Sequence, residues 1–138
     1  MGNLIKAIII VVTIIFIINH LDTDYGTQKI QSRQLDYKVS ANYLLDMYEK
    51  NEVSADVKCK GKIILVSGTV TNIGKDPLGI SYITIGGTRF FGGVRCHFSR
   101  GEEKDFVDLQ MGQEIGIIGL CEGKHISVSM KGCRLSKQ

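Results

Sequence analysis

The side chains best suited to metal binding or nucleophilic chemistry are four cysteines, Cys59, Cys96, Cys121 and Cys133, and the histidines His20, His97 and His125. A zinc site would draw on Cys96, Cys121, Cys133 and either His97 or His125. Structural zinc sites usually show paired ligands at C-x2-C spacing, and this chain has no such pair. Cys96 and His97 are adjacent, and neighbours along a strand point to opposite faces, so the imidazole cannot serve that thiol as a base. Gly86-Gly87 and Gly92-Gly93 are not phosphate loops, because neither leads from a parallel strand into a helix. No carboxylate pair, triad or cofactor fingerprint stands out. The expectation is a protein without catalytic activity, cofactor or metal.

Binding chemistry has better candidates. Tyr82 and Thr84 alternate with Ile83 and Ile85, while Arg95 and His97 alternate with Val94, Cys96 and Phe98. Period-two alternation sends each set to the polar side of a half-buried strand. Arg89 lies between the two glycine pairs. Tyr82, Thr84, Arg89, Arg95 and His97 are therefore the candidate ligand-binding residues. Lys58, Lys60 and Lys62 also alternate, and read as a solvated edge that discourages strand-to-strand association. A net charge of +3 is too small to argue for a nucleic-acid footprint.

These side chains need elements to hold them. Between Leu4 and Leu21 (LIKAIIIVVTIIFIINHL), eighteen residues of helix reach roughly 27 Å, near the thickness of a bilayer core. No small-residue cleavage pattern follows, and the first cysteine is Cys59, so an uncleaved anchor over residues 1–21 is expected. Lys6 precedes the span, and Asp22 and Asp24 follow it. The positive-inside bias keeps the N-terminus cytoplasmic and exports the remainder across a bacterial inner membrane or onto the cell surface. Residues 22–39 read as a polar linker, and residues 40–138 as the folded domain.

That domain carries 13 basic and 11 acidic side chains, a net of +2. Ser40 can cap a helix with apolar positions at Tyr43, Leu44, Met47 and Tyr48, and Asn51 can stop it. Lys62–Ile73 is rich in β-branched residues, with Gly68 marking a bend. Turn residues 74–79 lead to a strand ending at Ile85, and a third strand carries Val94, Cys96 and Phe98. Glu102–Leu109 reads as a short helical turn. Glu114–Cys121 is a fourth strand, and His125–Met130 a fifth, with Ile126, Val128 and Met130 inward. Helix, three strands, short helix and two strands match a five-stranded Greek-key barrel, the OB-fold.

Several phrases resemble the tRNA-anti-like family of small OB-fold proteins, many of them exported or membrane-tethered. They include Tyr48-Glu49-Lys50-Asn51-Glu52, Lys60-Gly61-Lys62, Val66-Ser67-Gly68-Thr69-Val70, Val94-Arg95-Cys96-His97-Phe98 and Gly119-Leu120-Cys121-Glu122-Gly123. The likeness runs from about Ser40 to Leu135. It implies kinship to nucleic-acid-binding OB domains, but the family has no established common activity. This chain lacks the aromatics interleaved with clustered Lys and Arg that base stacking and phosphate contact require.

An even cysteine count in an exported domain favours disulfides. In an OB barrel, strand one is antiparallel to strand four and strand three lies beside strand five. This favours Cys59–Cys121 and Cys96–Cys133, with Cys121–Cys133 as the rival pair; the alternative is four reduced cysteines filling the core, which would imply a cytoplasmic domain. The expected function is an extracytoplasmic binding module, anchored through residues 4–21, for a protein, glycan or other envelope component. Nucleic-acid binding and a structural or assembly role in the envelope are the alternatives.

Overall fold

The computed structural model describes every residue except Arg33, 88–91 and Gln138; the side chains of 18–32 are also outside the description. Two units result, Met1–Ser32 and Arg33–Gln138. The first is helix α1 (Gly2–Ser32). Its large apolar side chains from Leu4 to Ile17 are all 49–68% exposed, so no core covers them. The Thr13 hydroxyl is satisfied within the helix by the carbonyls of Ile9 and Ile10, both at 2.9 Å. Among the described residues no helix is long and apolar enough to cross a membrane. Residues 18–21 of the expected span lie outside the described side chains.

The second unit is a barrel preceded by two helices. Strand β1 (Tyr37–Ser40) enters helix α2 (Ala41–Lys50), followed by helix α3 (Glu52–Cys59). Strands β2 (Ile63–Lys75), β3 (Ser81–Ile85), β4 (Val94–Phe98), β5 (Glu114–Lys124) and β6 (Val128–Leu135) form the barrel. The sheet order is β1-β2-β3-β4-β6-β5, and β2 pairs with β5 to close it. β4 and β6 run parallel, and the other barrel pairs are antiparallel. This is the expected five-stranded OB topology with one strand added.

The added strand corrects the reading of residues 22–39 as a linker. Residues up to Ser32 continue α1, and Tyr37–Ser40 pairs in parallel with Ile64–Ser67. Asp36 fixes the entry: its amide donates to the Ile63 carbonyl at 2.8 Å, and its carboxylate accepts the Ile63 amide at 2.7 Å. The polar composition concealed this, because one aspartate serves as a clamp and only Tyr37 and Val39 face inward.

Ser40 caps α2 as expected, its hydroxyl accepting the Tyr43 amide. The buried stripe is Ala41, Leu44 and Tyr48, at helical spacing, whereas Tyr43 is 60% exposed. Asn51 stops α2 and also starts α3, its side chain accepting the Ser54 amide at 2.9 Å. Helix α3 was not foreseen, and its formation removes Lys58 from any strand. The Lys58, Lys60 and Lys62 edge is therefore not formed, and Lys60 leans toward Asp56.

Leu44 and Tyr48 join Ile64, Val66, Ile83, Ile85, Val94 and Met130 in one core. The region read as a helix over 102–109 is a 3-10 turn, Glu103–Asp105, that delivers Phe106 against Phe98 with ring centroids 4.7 Å apart. Strand β5 runs on to Lys124, so the hairpin tip moves to 125–127. Ile126, expected inward, is fully exposed at that tip. Leu44→Ala should cost about 2–5 kcal/mol, as deletion of a fully buried leucine does. Urea denaturation of the full chain in mild detergent would read this; a loss below 1 kcal/mol would mean that α2 does not complete the core.

Candidate binding face

On the barrel exterior, β3 and β4 bring together three of the five candidate residues. Their register sets Tyr82 opposite His97 and Thr84 opposite Arg95. The Arg95 guanidinium carbon sits 4.7 Å from the Tyr82 ring centroid. The Tyr82 and His97 rings meet edge to face at 6.0 Å and 61°. A cation over an aromatic face at an accessible site stabilises by about 0.5–1 kcal/mol, enough to bias the arginine's orientation while leaving its N–H groups free to donate. Arg95 is exposed, and Tyr82 and His97 are half-buried.

Two residues missed in the sequence support the platform. Gly74 pairs with Tyr82 across the β2–β3 ladder. A Cβ at position 74 would come within 3.0 Å of the tyrosine hydroxyl oxygen, so its glycine lets the phenol lie across the strand. Asn72 Nδ2 donates to that oxygen at 3.5 Å. The sequence reads Gly74 as the start of a turn, but β2 runs on to Lys75, and a glycine within a strand allows close approach of another group.

Thr84 does not belong to the accessible set. It is 7% exposed, and its methyl lies where a side chain on Gly93 would sit. Alternation gave the correct side of the strand but not the cover supplied by the tight passage at Gly93. Arg89 lies outside the described residues. Beyond Arg95, the sheet continues to Ser129, whose hydroxyl donates to Glu122, and Glu122 holds Lys131 at 3.1 Å. Among the described residues no three His, Cys, Asp or Glu side chains converge as metal ligands would.

The expected disulfides are not formed; all four cysteines are buried free thiols. Cys133 lies within β6 rather than beyond it, and the Cys96 thiol donates to the Val94 carbonyl at 3.8 Å. Burial pushes the Cys133 thiol well above its ordinary range, and the Cys96 contact adds to this. Tyr37 donates its hydroxyl to Cys59 Sγ at 2.8 Å. Tyr48 gives its proton to Asp56 at 2.9 Å, which leaves the Cys121 thiol to donate to the phenol oxygen at 3.8 Å. Burial raises the Cys121 thiol and both tyrosines above their usual values. The sulfurs are thus buried within the core.

The model of the tRNA_anti-like family matches residues 1–134. The chain belongs to that family. No curated protein matches it. Among solved structures, it is similar to a Klebsiella pneumoniae protein named "putative nucleic acid-binding lipoprotein". The two share 19% identity with a TM-score of 0.59, over 81% of this chain and 98% of the other. At that identity the likeness shows a shared OB-fold.

In this tRNA_anti-like chain, buried thiols should resist modification. An aromatic disulfide reagent at pH 8 should label none in the native protein, and four after denaturation without reductant. Fewer than four in the denatured chain would mean that cysteine pairs are oxidised.

Proposed function

We propose that this chain is a membrane-tethered, non-catalytic binding module whose exported barrel takes a ligand across the outer β3–β4 strip. The observation that carries the reading is the Tyr82–Arg95–His97 cluster. It joins a flat ring to cationic and polar donors on the face that OB-folds commonly use. The tether is supported by α1, whose apolar side chains are exposed from Leu4 to Ile17 and whose one hydroxyl over Ala7–Ile17 is bonded internally. Lipid favours such a helix because every backbone group is satisfied within it. A protein, glycan or other envelope component is the ligand class.

Nucleic acid is the second reading, favoured by the name that the Klebsiella pneumoniae protein carries. Phosphate recognition by several cations gives affinity that falls steeply with salt. The test uses full-length protein in nanodiscs, probed by NMR with chitotetraose, a twenty-nucleotide dT strand and a randomised peptide pool. At least one probe should shift the Tyr82, Arg95 and His97 resonances. Tyr82→Ala with Arg95→Ala should weaken its binding tenfold or more while the melting temperature stays within a few degrees. Undiminished binding by the folded double variant would reject this face.

A further inference from the structure

Lys58, Lys60 and Lys62 form no strand edge; they lie exposed where α3 ends and the chain turns into β2. That turn is fixed on both sides. The Lys60 amide donates to the Asp56 carbonyl at 2.9 Å and the Lys62 amide to the Cys59 carbonyl at 3.0 Å. Between them Gly61, at a left-handed φ of +76°, donates its amide to the Cys121 carbonyl at 2.9 Å.

Helix α3 adds an apolar element beside the lysines. Val53 and Val57 are one turn apart on it, hence on one face, and are 77% and 79% exposed. β-Branched residues are poorer helix formers than Ala, Glu or Lys, and these two bury little surface, so the stability of α3 does not account for them. Lys58 suits the last turn of a helix, where a cation opposes the dipole, but Lys62 lies beyond the helix and has no such role. Two carboxylates lie on α3. Glu52 faces Lys124 at 3.9 Å, and Asp56 accepts from Tyr48 at 2.9 Å with the Lys60 ammonium 3.9 Å away. Lys58 and Lys62 add positive charge beyond these pairs.

The place of this surface along the chain selects what it meets. Asp36, which clamps the barrel entry, bonds both backbone polar groups of Ile63, the residue after Lys62. The chain that follows the tether therefore enters the barrel beside the lysines. The apolar run ends at Leu21 and α1 at Ser32; the helical residues 22–32 and four further steps to Asp36 reach at most roughly 30 Å. A lysine cluster with exposed valines, within that reach of an apolar anchor, has the composition of a lipid-surface contact. We infer that Val53, Val57, Lys58, Lys60 and Lys62 rest on the membrane that holds the tether, the lysines on anionic phospholipid headgroups and the valines at the headgroup boundary. Contact there leaves the binding strip clear, because Gly74, the partner of Tyr82, lies at the other end of β2 from Ile63.

This inference rests on the proposed tether and adds a second contact with the same membrane. The test places full-length protein in nanodiscs of phosphatidylcholine, alone or mixed with phosphatidylglycerol, each carrying a lipid spin-labelled at its headgroup. Paramagnetic broadening of backbone amides is read by NMR. Amides of Val53 and of residues 57–62 should broaden at least twofold more in the anionic discs, while those of Tyr82 and Arg95 stay sharp. High salt should remove the difference. Lys58→Gln with Lys62→Gln should also remove it, and both positions are exposed, so folding is preserved. Equal broadening in the two lipids, or none beyond the rest of the barrel, with the chain still in the discs, would overturn the headgroup contact and keep the tether. Perturbation of these amides by a twenty-nucleotide dT strand, with no dependence on lipid, would reassign the surface to nucleic acid and overturn the inference. Protein that elutes apart from the discs would overturn the tether and the inference with it.

Discussion

Strand β2 has to satisfy three partners, and the arrangement of the barrel follows from how it does so. Its first half pairs with β5 through Ile63–Thr69 while β1 lies along its other edge at Ile64–Ser67. Its second half pairs with β3 over Val70–Lys75, after a register shift between Val70 and Asn72. A flat strand could not serve both β5 and β3 in a closed sheet; curvature and a bulge allow it. Gly68 sits at the crossover, where a Cβ would meet the Ala41 side chain at 3.0 Å, so α2 can press against the bend. Closure leaves the barrel strands without a long free edge, and the short β1 lies alongside β2.

That closure also places the chemistry. Once β2 is bent, Gly74 comes opposite Tyr82, and the phenol lies across a strand that carries no side chain there. Pairing of β3 with β4 then brings the Arg95 guanidinium onto the ring. The site is built from regular strands and a tight Asp76 turn. Its geometry is inherited from the barrel rather than from flexible loops.

Much of the fold was legible in the sequence because its signals were local. Alternation at Ile83–Ile85 and Val94–Phe98, the Ser40 cap and the Asn51 stop all report on their own neighbourhood. What escaped depended on distant partners. Strand β1 exists because Asp36 meets Ile63, and no pattern within residues 22–39 announces that contact. Thr84 is on the polar side by alternation and is still covered, because the chain folds closely over it at Gly93. Ile126 fits an inward phase, but β5 continues three residues past Cys121 and carries the hairpin tip with it. The cysteine neighbours follow from barrel topology, yet the Tyr37 and Tyr48 hydroxyls that engage Cys59 and Cys121 come from β1 and α2.

Amide hydrogen exchange on the full chain tests most directly whether closure by β2 holds the binding strip in place. If it does, amides of the β2–β5 ladder and of the β3–β4 ladder should exchange at the same slow rate, set by global unfolding. Gly68→Val, which crowds Ala41 at the bend, should accelerate both ladders together. Fast exchange of the β2–β5 ladder beside a protected β3–β4 pair would contradict the account. It would show that the strip is ordered without the barrel being closed.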